Sequence, residues 1–339
     1  MNSNQPLVSI IVPVYNKRRY LHTILNQIAE QTFSDFECIL IDDGSTDGSA
    51  EICDAFAQRD SRFVVKHIPN GGVAHARNVG LDLAAGVYIT FIDADDEVTP
   101  EYLDNLYKCI IQSGADLVIG SHAGIRDHNP AIVPARNPFP PGTRLLAEDL
   151  VSFARIQKSF GTYGWCWAKL LSRELIADTR FTEGLVLAED FDFYLKLYPS
   201  VSTIYYDDKP NYLYRQEAEN CSVVKDDDKI NYLAQLLLNL RYRTFLQRMN
   251  AWSGENQEIV EQLISNYIFF TIVHSPVAEI PEKIDSLRGI CTEHEPRFLP
   301  VGALQRVIFA LLRHNMKKTT QALMWTIRFL RKVKHRMSL

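Results

Sequence analysis

The chain has 339 residues, of which 46% are hydrophobic and 23% charged, with 16 Gly and 15 Pro and a net charge of -5. That composition excludes wholesale disorder and collagen-like or low-complexity character, and the length suits two domains, or one large domain with an appendage. No run reaches the roughly eighteen apolar residues that a spanning helix needs, and the first residues lack the basic start and apolar core of a secretory signal. Six scattered cysteines with no C-x-x-C pair point to reduced thiols in a cytosolic protein rather than a disulfide framework or a zinc site. The charge is uneven: from Pro296 onward there are ten Lys or Arg and no Asp or Glu, which leaves -15 on residues 1–295. So acidic a body argues against nucleic acid as a partner.

In chain order, Val8–Val14 reads as a buried strand, and Tyr20–Gln31 as a helix with Leu21, Ile24, Leu25 and Ile28 on one face. Phe36–Ile41 predicts a strand, Gly48–Arg59 a helix, Phe63–His67 a strand and Ala74–Leu83 a helix. Val87–Ile92 predicts a fourth strand, Pro100–Gln112 a helix, and Leu117–Gly120 a closing strand. This alternation implies an α/β domain with an open, mainly parallel, Rossmann-like sheet and helices on both faces. Residues 122–143, with five prolines, read as an irregular loop or linker. Residues 144–215 mix helix and strand. Helical periodicity then fills Ile230–Met249, Glu255–Val273, Glu282–Cys291, Val301–His314 and Thr319–Lys334. A boundary near 220 separates a catalytic domain, 1–220, from an all-helical C-terminal region, 221–339. Within the former, residues 1–120 and 144–220 are separate parts.

Ligands of such sheets bind beyond the carboxyl ends of the strands, so the residues just after each strand carry the functional information. These are Pro13-Val14-Tyr15-Asn16, Asp42-Asp43-Gly44-Ser45-Thr46-Asp47, Asn70-Gly71-Gly72 with Ala76-Arg77-Asn78-Val79-Gly80, and Asp93-Ala94-Asp95-Asp96. A lone Asp in such a place is ordinarily a turn or capping residue, which fits Asp47 and Ser49. Asp93 and Asp95 differ because residues i and i+2 of an extended segment project to one side. Two hard carboxylates without His or Cys suit Mg²⁺ or Mn²⁺ bridging a diphosphate. Asp42-Asp43 could serve a base or ribose, and Gly44 permits close backbone approach. Arg77 offers a planar fork either for phosphate or for a neighbouring Asp. The pair Glu189-Asp190 either caps a helix or supplies, in Asp190, a general base for an incoming hydroxyl.

In order and spacing, these pieces together with Trp167-Ala168-Lys169-Leu170 and Glu189-Asp190 resemble the family 2 glycosyltransferases of GT-A fold over about residues 7–215. The resemblance implies that Pro13, Tyr15 and Asp43 line a base and ribose pocket with Asp42 beside them, and that Arg77 and Asn78 lie near the nucleotide and its phosphates. It implies that Asp93 and Asp95 form the D-x-D pair, touching ribose and metal respectively, with Asp96 as a further ligand. Asp190 would be the catalytic base and Glu189 an acceptor-positioning residue. Trp167 and Lys169 would be acceptor-side or structural, and Tyr214-Arg215 would belong to a segment that closes over the donor. The implied activity is inverting transfer from a nucleotide-sugar, a UDP-sugar above all, to a growing surface glycan or lipid-linked glycan, assisted by Mn²⁺ or Mg²⁺.

Two rivals on the same fold lose on sequence: there is no G-x-G-x-x-G after the first strand and no G-x-x-x-x-G-K-[ST] anywhere. A non-catalytic nucleotide-sugar or glycan-binding subunit of a polysaccharide assembly complex is the remaining alternative. Residues 301–336 carry two apolar faces ringed by Lys and Arg. They suit either packing on protein, including a second copy in a homodimer, or contact with an anionic membrane surface. The expected location is the cytoplasm, at the inner face of the membrane in the second case.

Overall fold

The computed structural model describes residues 5–126, 129–135, 137–185, 187–216 and 230–337. The chain divides into two compact units, Met1–Val223 and Val224–Leu339. The divide falls within 217–229, outside the described residues, as does Cys221.

The strands of the first unit are Val8–Val14 (β1), Phe36–Asp42 (β2), Phe63–His67 (β3), Tyr88–Phe91 (β4), Glu97–Val98 (β5) and Leu117–Ile119 (β6). They continue with His122–Arg126 (β7), Asn129–Ala135 (β8), Gly142–Leu145 (β9), Lys169–Ser172 (β10), Thr203–Tyr206 (β11) and Tyr212–Arg215 (β12). An eight-stranded sheet runs β3-β2-β1-β4-β10-β6-β11-β9, and a smaller one runs β5-β12-β7-β8. β1, β2, β3 and β4 are parallel, whereas β10 is antiparallel to both β4 and β6 and β9 is antiparallel to β11. This is the expected α/β architecture.

The central strands are apolar because both faces are covered: Val8, Ile10, Ile11, Val12 and Val14 in β1 are all buried. The chain passes from β1 outward to β2 and β3, then returns to β4 on the other side of β1. That reversal makes a crevice at the carboxyl ends of β1 and β4, where ligands of such sheets bind. Pro13 is tolerated in a central strand because the ladder to β4 stops at Ile11, short of its missing N–H. Helix Val73–Leu83 lies close on the sheet: a Cβ at Gly80 would come within 2.4 Å of Ile11 Cγ2. The glycine of Ala-Arg-Asn-Val-Gly thus sets how near that helix carries Arg77 and Asn78 to the sheet.

Residues 122–143 differ from the irregular loop expected of them, since they hold β7, β8 and the start of β9. Pro130 and Pro134 fit because β8 is the edge of its sheet, where a missing backbone donor leaves no rung broken in the interior. In the second unit, helices Tyr232–Arg248, Gly254–Val273, Ile280–His294, Ala303–Arg313 and Lys317–Met337 pack around Leu236, Val260, Ile264, Ile268, Ile284, Leu287 and Ile308. Among the described residues no single helix is long and apolar enough to cross a membrane.

Candidate active site

The first two strand ends are built around backbone donors. Asp43 accepts from the N–H of Gly71 (2.7 Å) and of Gly72 (2.9 Å), one on each carboxylate oxygen. Asp42 accepts from Ser45 N–H (3.1 Å), and its other oxygen lies 2.8 Å from His67 Nδ1. The hydrogen bond with Asp42 raises the His67 pKa. Both carboxyls are buried, so they fix the loops after β2 and β3. Tyr15, by contrast, is 48% exposed beside them, an aromatic face at the end of β1. Asp47 caps, as its sequence context suggests: it accepts from Ser49 N–H, Ser49 O–H and Arg18 N–H.

The loop after β4 gathers the acids. Arg77 is buried and forked between two of them, with Nη1 donating to Glu189 (2.7 Å) and Nη2 to Asp93 (3.1 Å). Of the two partners that the sequence allowed for Arg77, the structure supplies the carboxylates. Asn78 spends its amide on Phe181 O, Phe181 N–H and Glu183, tying helix Val73–Leu83 to the loop that leads into Glu189. Asp95 pairs with the Lys17 ammonium at 2.5 Å, and burial still raises its pKa. Asp96 is buried, accepts from Tyr212 O–H (2.6 Å) and Arg215 N–H (2.8 Å), and has its pKa pushed well up by burial. With one hydrogen bond on each oxygen, Asp96 braces the loop.

Arg215 belongs to the same brace: its Nε donates to Asp95 O (2.9 Å), its fork meets Glu97, and it lies over the Tyr20 ring. Tyr212 does double duty, since its oxygen also accepts from Asp93 N–H (3.2 Å). Behind it stands a stacked aromatic column in which Trp165, Trp167 and Tyr212 are spaced 4.5 and 4.8 Å apart. Trp167 is buried in that column and Lys169 is 1% exposed, donating to Trp165 O and lying over the Tyr194 ring. Both therefore sit as structural positions behind the rim. Burial lowers the Lys169 pKa to about 8.

Asp190 opens helix Glu189–Leu197 and accepts from Phe191 N–H (2.7 Å). Burial, then the adjacent Glu189 charge, raises its pKa to about 7. A carboxyl so tuned can exchange a proton near neutrality. Asp93 bonds Arg77, and Asp95 bonds Lys17, through one carboxylate oxygen each. Two hard oxygen donors fit a Mg²⁺ or Mn²⁺ ion that completes its shell with phosphate and water. Among the described residues no three His, Cys, Asp or Glu converge as a closed metal cage.

The sequence profile of Glycosyl transferase family 2 matches residues 9–175. The glycosyltransferase GlyG of Streptococcus pneumoniae serotype 4 is 32% identical over 220 residues, covering 62% of this chain and 71% of GlyG. The chain belongs to glycosyltransferase family 2. EpsJ of Bacillus subtilis (strain 168), named an uncharacterized glycosyltransferase, is 32% identical over 223 residues, 65% of this chain and 64% of EpsJ, just under two thirds of that relative. The crystal structure of S. aureus TarS 1–349 in complex with UDP-GlcNAc superposes with a TM-score of 0.64 at 21% identity, covering 95% of this chain and 91% of that TarS fragment, and so shares its fold.

In this glycosyltransferase the residues that sequence reasoning passes over are Lys17 and Tyr212. Lys17 follows the Tyr15-Asn16 segment directly, but its partner is 78 positions away. Tyr212 reads as an ordinary strand aromatic. Tyr212→Phe removes the donor to a buried Asp96 oxygen, and it is expected to cost about 1–3 kcal/mol in urea unfolding while lowering turnover. Wild-type stability in that variant would remove Tyr212 from the brace.

Proposed function

We propose that this family 2 enzyme transfers a sugar from a UDP-sugar to a hydroxyl of a growing surface glycan, with inversion at the anomeric carbon. The carrying observation is the Arg77 fork, which draws together Asp93 of the D-x-D loop and Glu189, the neighbour of Asp190, the latter 112 positions from Arg77 itself. Family membership supplies the reaction class, and the UDP and UDP-GlcNAc complexes of the similarly folded TarS support the donor class. TuaG of Bacillus subtilis, named for teichuronic acid biosynthesis, supports a surface polymer as acceptor.

In this reading the Tyr15 ring stacks on the base, while Pro13, Asp42 and Asp43 shape the pocket that holds base and ribose. Asp93 and Asp95 would hold Mn²⁺ or Mg²⁺, which would supply positive charge against the departing diphosphate. Asp190 takes the proton of the acceptor hydroxyl, whose oxygen forms the new bond to the anomeric carbon. The bond from that carbon to the diphosphate oxygen breaks, and its electron pair leaves with UDP. Glu189, held by Arg77, positions the acceptor beside Asp190. Because Asp190 acts ionised and its pKa is raised to about 7, activity should fall as pH drops through 7. A donor panel with Mn²⁺ tests this by UDP release. Asp190→Asn is expected to lose about 10²–10⁴-fold in turnover with little change in UDP affinity, and Asp95→Ala to lose metal-dependent release. Wild-type turnover in Asp190→Asn, or a flat profile between pH 5 and 8, contradicts the base assignment.

The acceptor class brings a second part of the proposal, a cytoplasmic enzyme resting on the inner face of the membrane. Packing within the helical unit takes up Ile308, Phe309, Leu312 and Met324 of the basic tail. Val301, Val307, Met316 and Trp325 remain exposed, as do Arg306 and Lys318, while Lys317 pairs with Asp285 (2.5 Å); exposed apolar and basic side chains together are the pattern of a shallow contact with anionic lipid. The side chains beyond Arg328 lie outside the described residues. Co-sedimentation with phosphatidylglycerol vesicles at low salt is expected for wild type and lost in Trp325→Ser/Arg306→Glu/Lys318→Glu. Equal sedimentation of both proteins would contradict the membrane contact.

A further inference from the structure

The Lys17–Asp95 pair spans the crevice where the strand order reverses, since Lys17 follows β1 and Asp95 follows β4. Its backbone is fixed. Lys17 N–H donates to Ser49 Oγ (2.9 Å), Lys17 O accepts from Tyr20 and Leu21 N–H, and Asn16 before it holds φ 51° with its side chain bonded to Thr46 N–H. The ammonium is different: it sits at the end of a flexible four-carbon stem, is 26% exposed, and has Asp95 as its ion-pair partner. The neighbouring Asp93 is matched by a buried guanidinium instead. One acid of the D-x-D pair is thus held by a fixed cation and the other by a mobile one.

We infer that Lys17 is an exchangeable counter-ion of the donor site, occupying Asp95 in the empty enzyme and passing to the donor diphosphate when Asp95 is released to a divalent ion. This rests on the metal and donor roles proposed above and adds the regulation of that site. An ammonium and a divalent cation compete for the same carboxylate, so Lys17 weakens metal binding to the nucleotide-free enzyme. The diphosphate is the anion that arrives with the metal, and an ammonium freed at the mouth of the crevice gains there what it loses at Asp95. Metal and donor thereby become mutually dependent, and the enzyme avoids holding bare metal.

The two halves of the exchange predict opposite signs for one substitution. In Lys17→Met, Mn²⁺ binding to nucleotide-free protein, read from the free-ion electron paramagnetic resonance signal, should tighten on the order of fivefold. UDP binding at saturating Mn²⁺, read by calorimetry, should weaken about tenfold, and Lys17→Arg should restore much of the UDP affinity. A structural role alone would weaken both or neither. Unchanged or weaker Mn²⁺ binding in Lys17→Met, with Asp95→Asn still losing Mn²⁺, overturns the exchange while leaving the metal site standing. If Asp95→Asn binds Mn²⁺ like wild type, the metal lies elsewhere and the exchange falls with that reading.

Discussion

A guanidinium with 5% of its surface exposed, shared between two carboxylates, organises this enzyme. Asp93, Asp95, Asp96, Glu97, Glu189 and Asp190 crowd one rim of the sheet, and so dense a set of anions would repel itself out of register without fixed countercharge. Arg77 meets Asp93 and Glu189, Arg215 meets Glu97 and the Asp95 carbonyl, and Lys17 meets Asp95. A planar fork with fixed, separately directed donors serves two carboxylates from separate segments at once, a task that suits Arg at position 77 better than Lys. Asp190 bonds none of these three cations, and burial, then the adjacent Glu189 charge, raises its proton affinity.

The rim is stiff because an apolar layer stands behind the charges. Trp165 is closed on one side by Gly161, where a Cβ would come within 2.6 Å of the indole, and is stacked on the other against Trp167. Trp167 in turn pairs with Phe91, the last residue of β4, and stacks on Tyr212. His122 packs edge-on to both indoles, and burial lowers its pKa to about 4, so it stays neutral within the column. The column ends in the one hydroxyl that holds Asp96 and the Asp93 backbone, so apolar packing is converted into the placement of a charged loop.

Much of this architecture is legible in the amino-acid sequence, for a physical reason. Strands buried on both faces must be apolar runs, and helices between them must be amphipathic, so β1 to β4 and their helices emerge from periodicity alone. The rim acids are visible because they follow those runs directly. What periodicity does not carry is which way a polar side chain turns. Asn78, Trp167 and Lys169 stand in the right segments, yet face the protein rather than the crevice: Asn78 and Trp167 find partners far along the chain in Phe181 and Phe91, and Lys169 turns back onto Trp165. The β7–β8 pair is hidden by its prolines, which ordinarily interrupt strands but are harmless at a sheet edge.

The central claim is that acids from separate strand ends share one activated sugar and one divalent ion. The anomalous difference map of a crystal grown with Mn²⁺ and UDP tests it most directly. The account predicts a manganese peak within coordination distance of the Asp95 carboxylate and of both UDP phosphates, with the uracil against Tyr15. A peak away from Asp93 and Asp95, or UDP bound with its phosphates pointing out of the β1–β4 crevice, would contradict it.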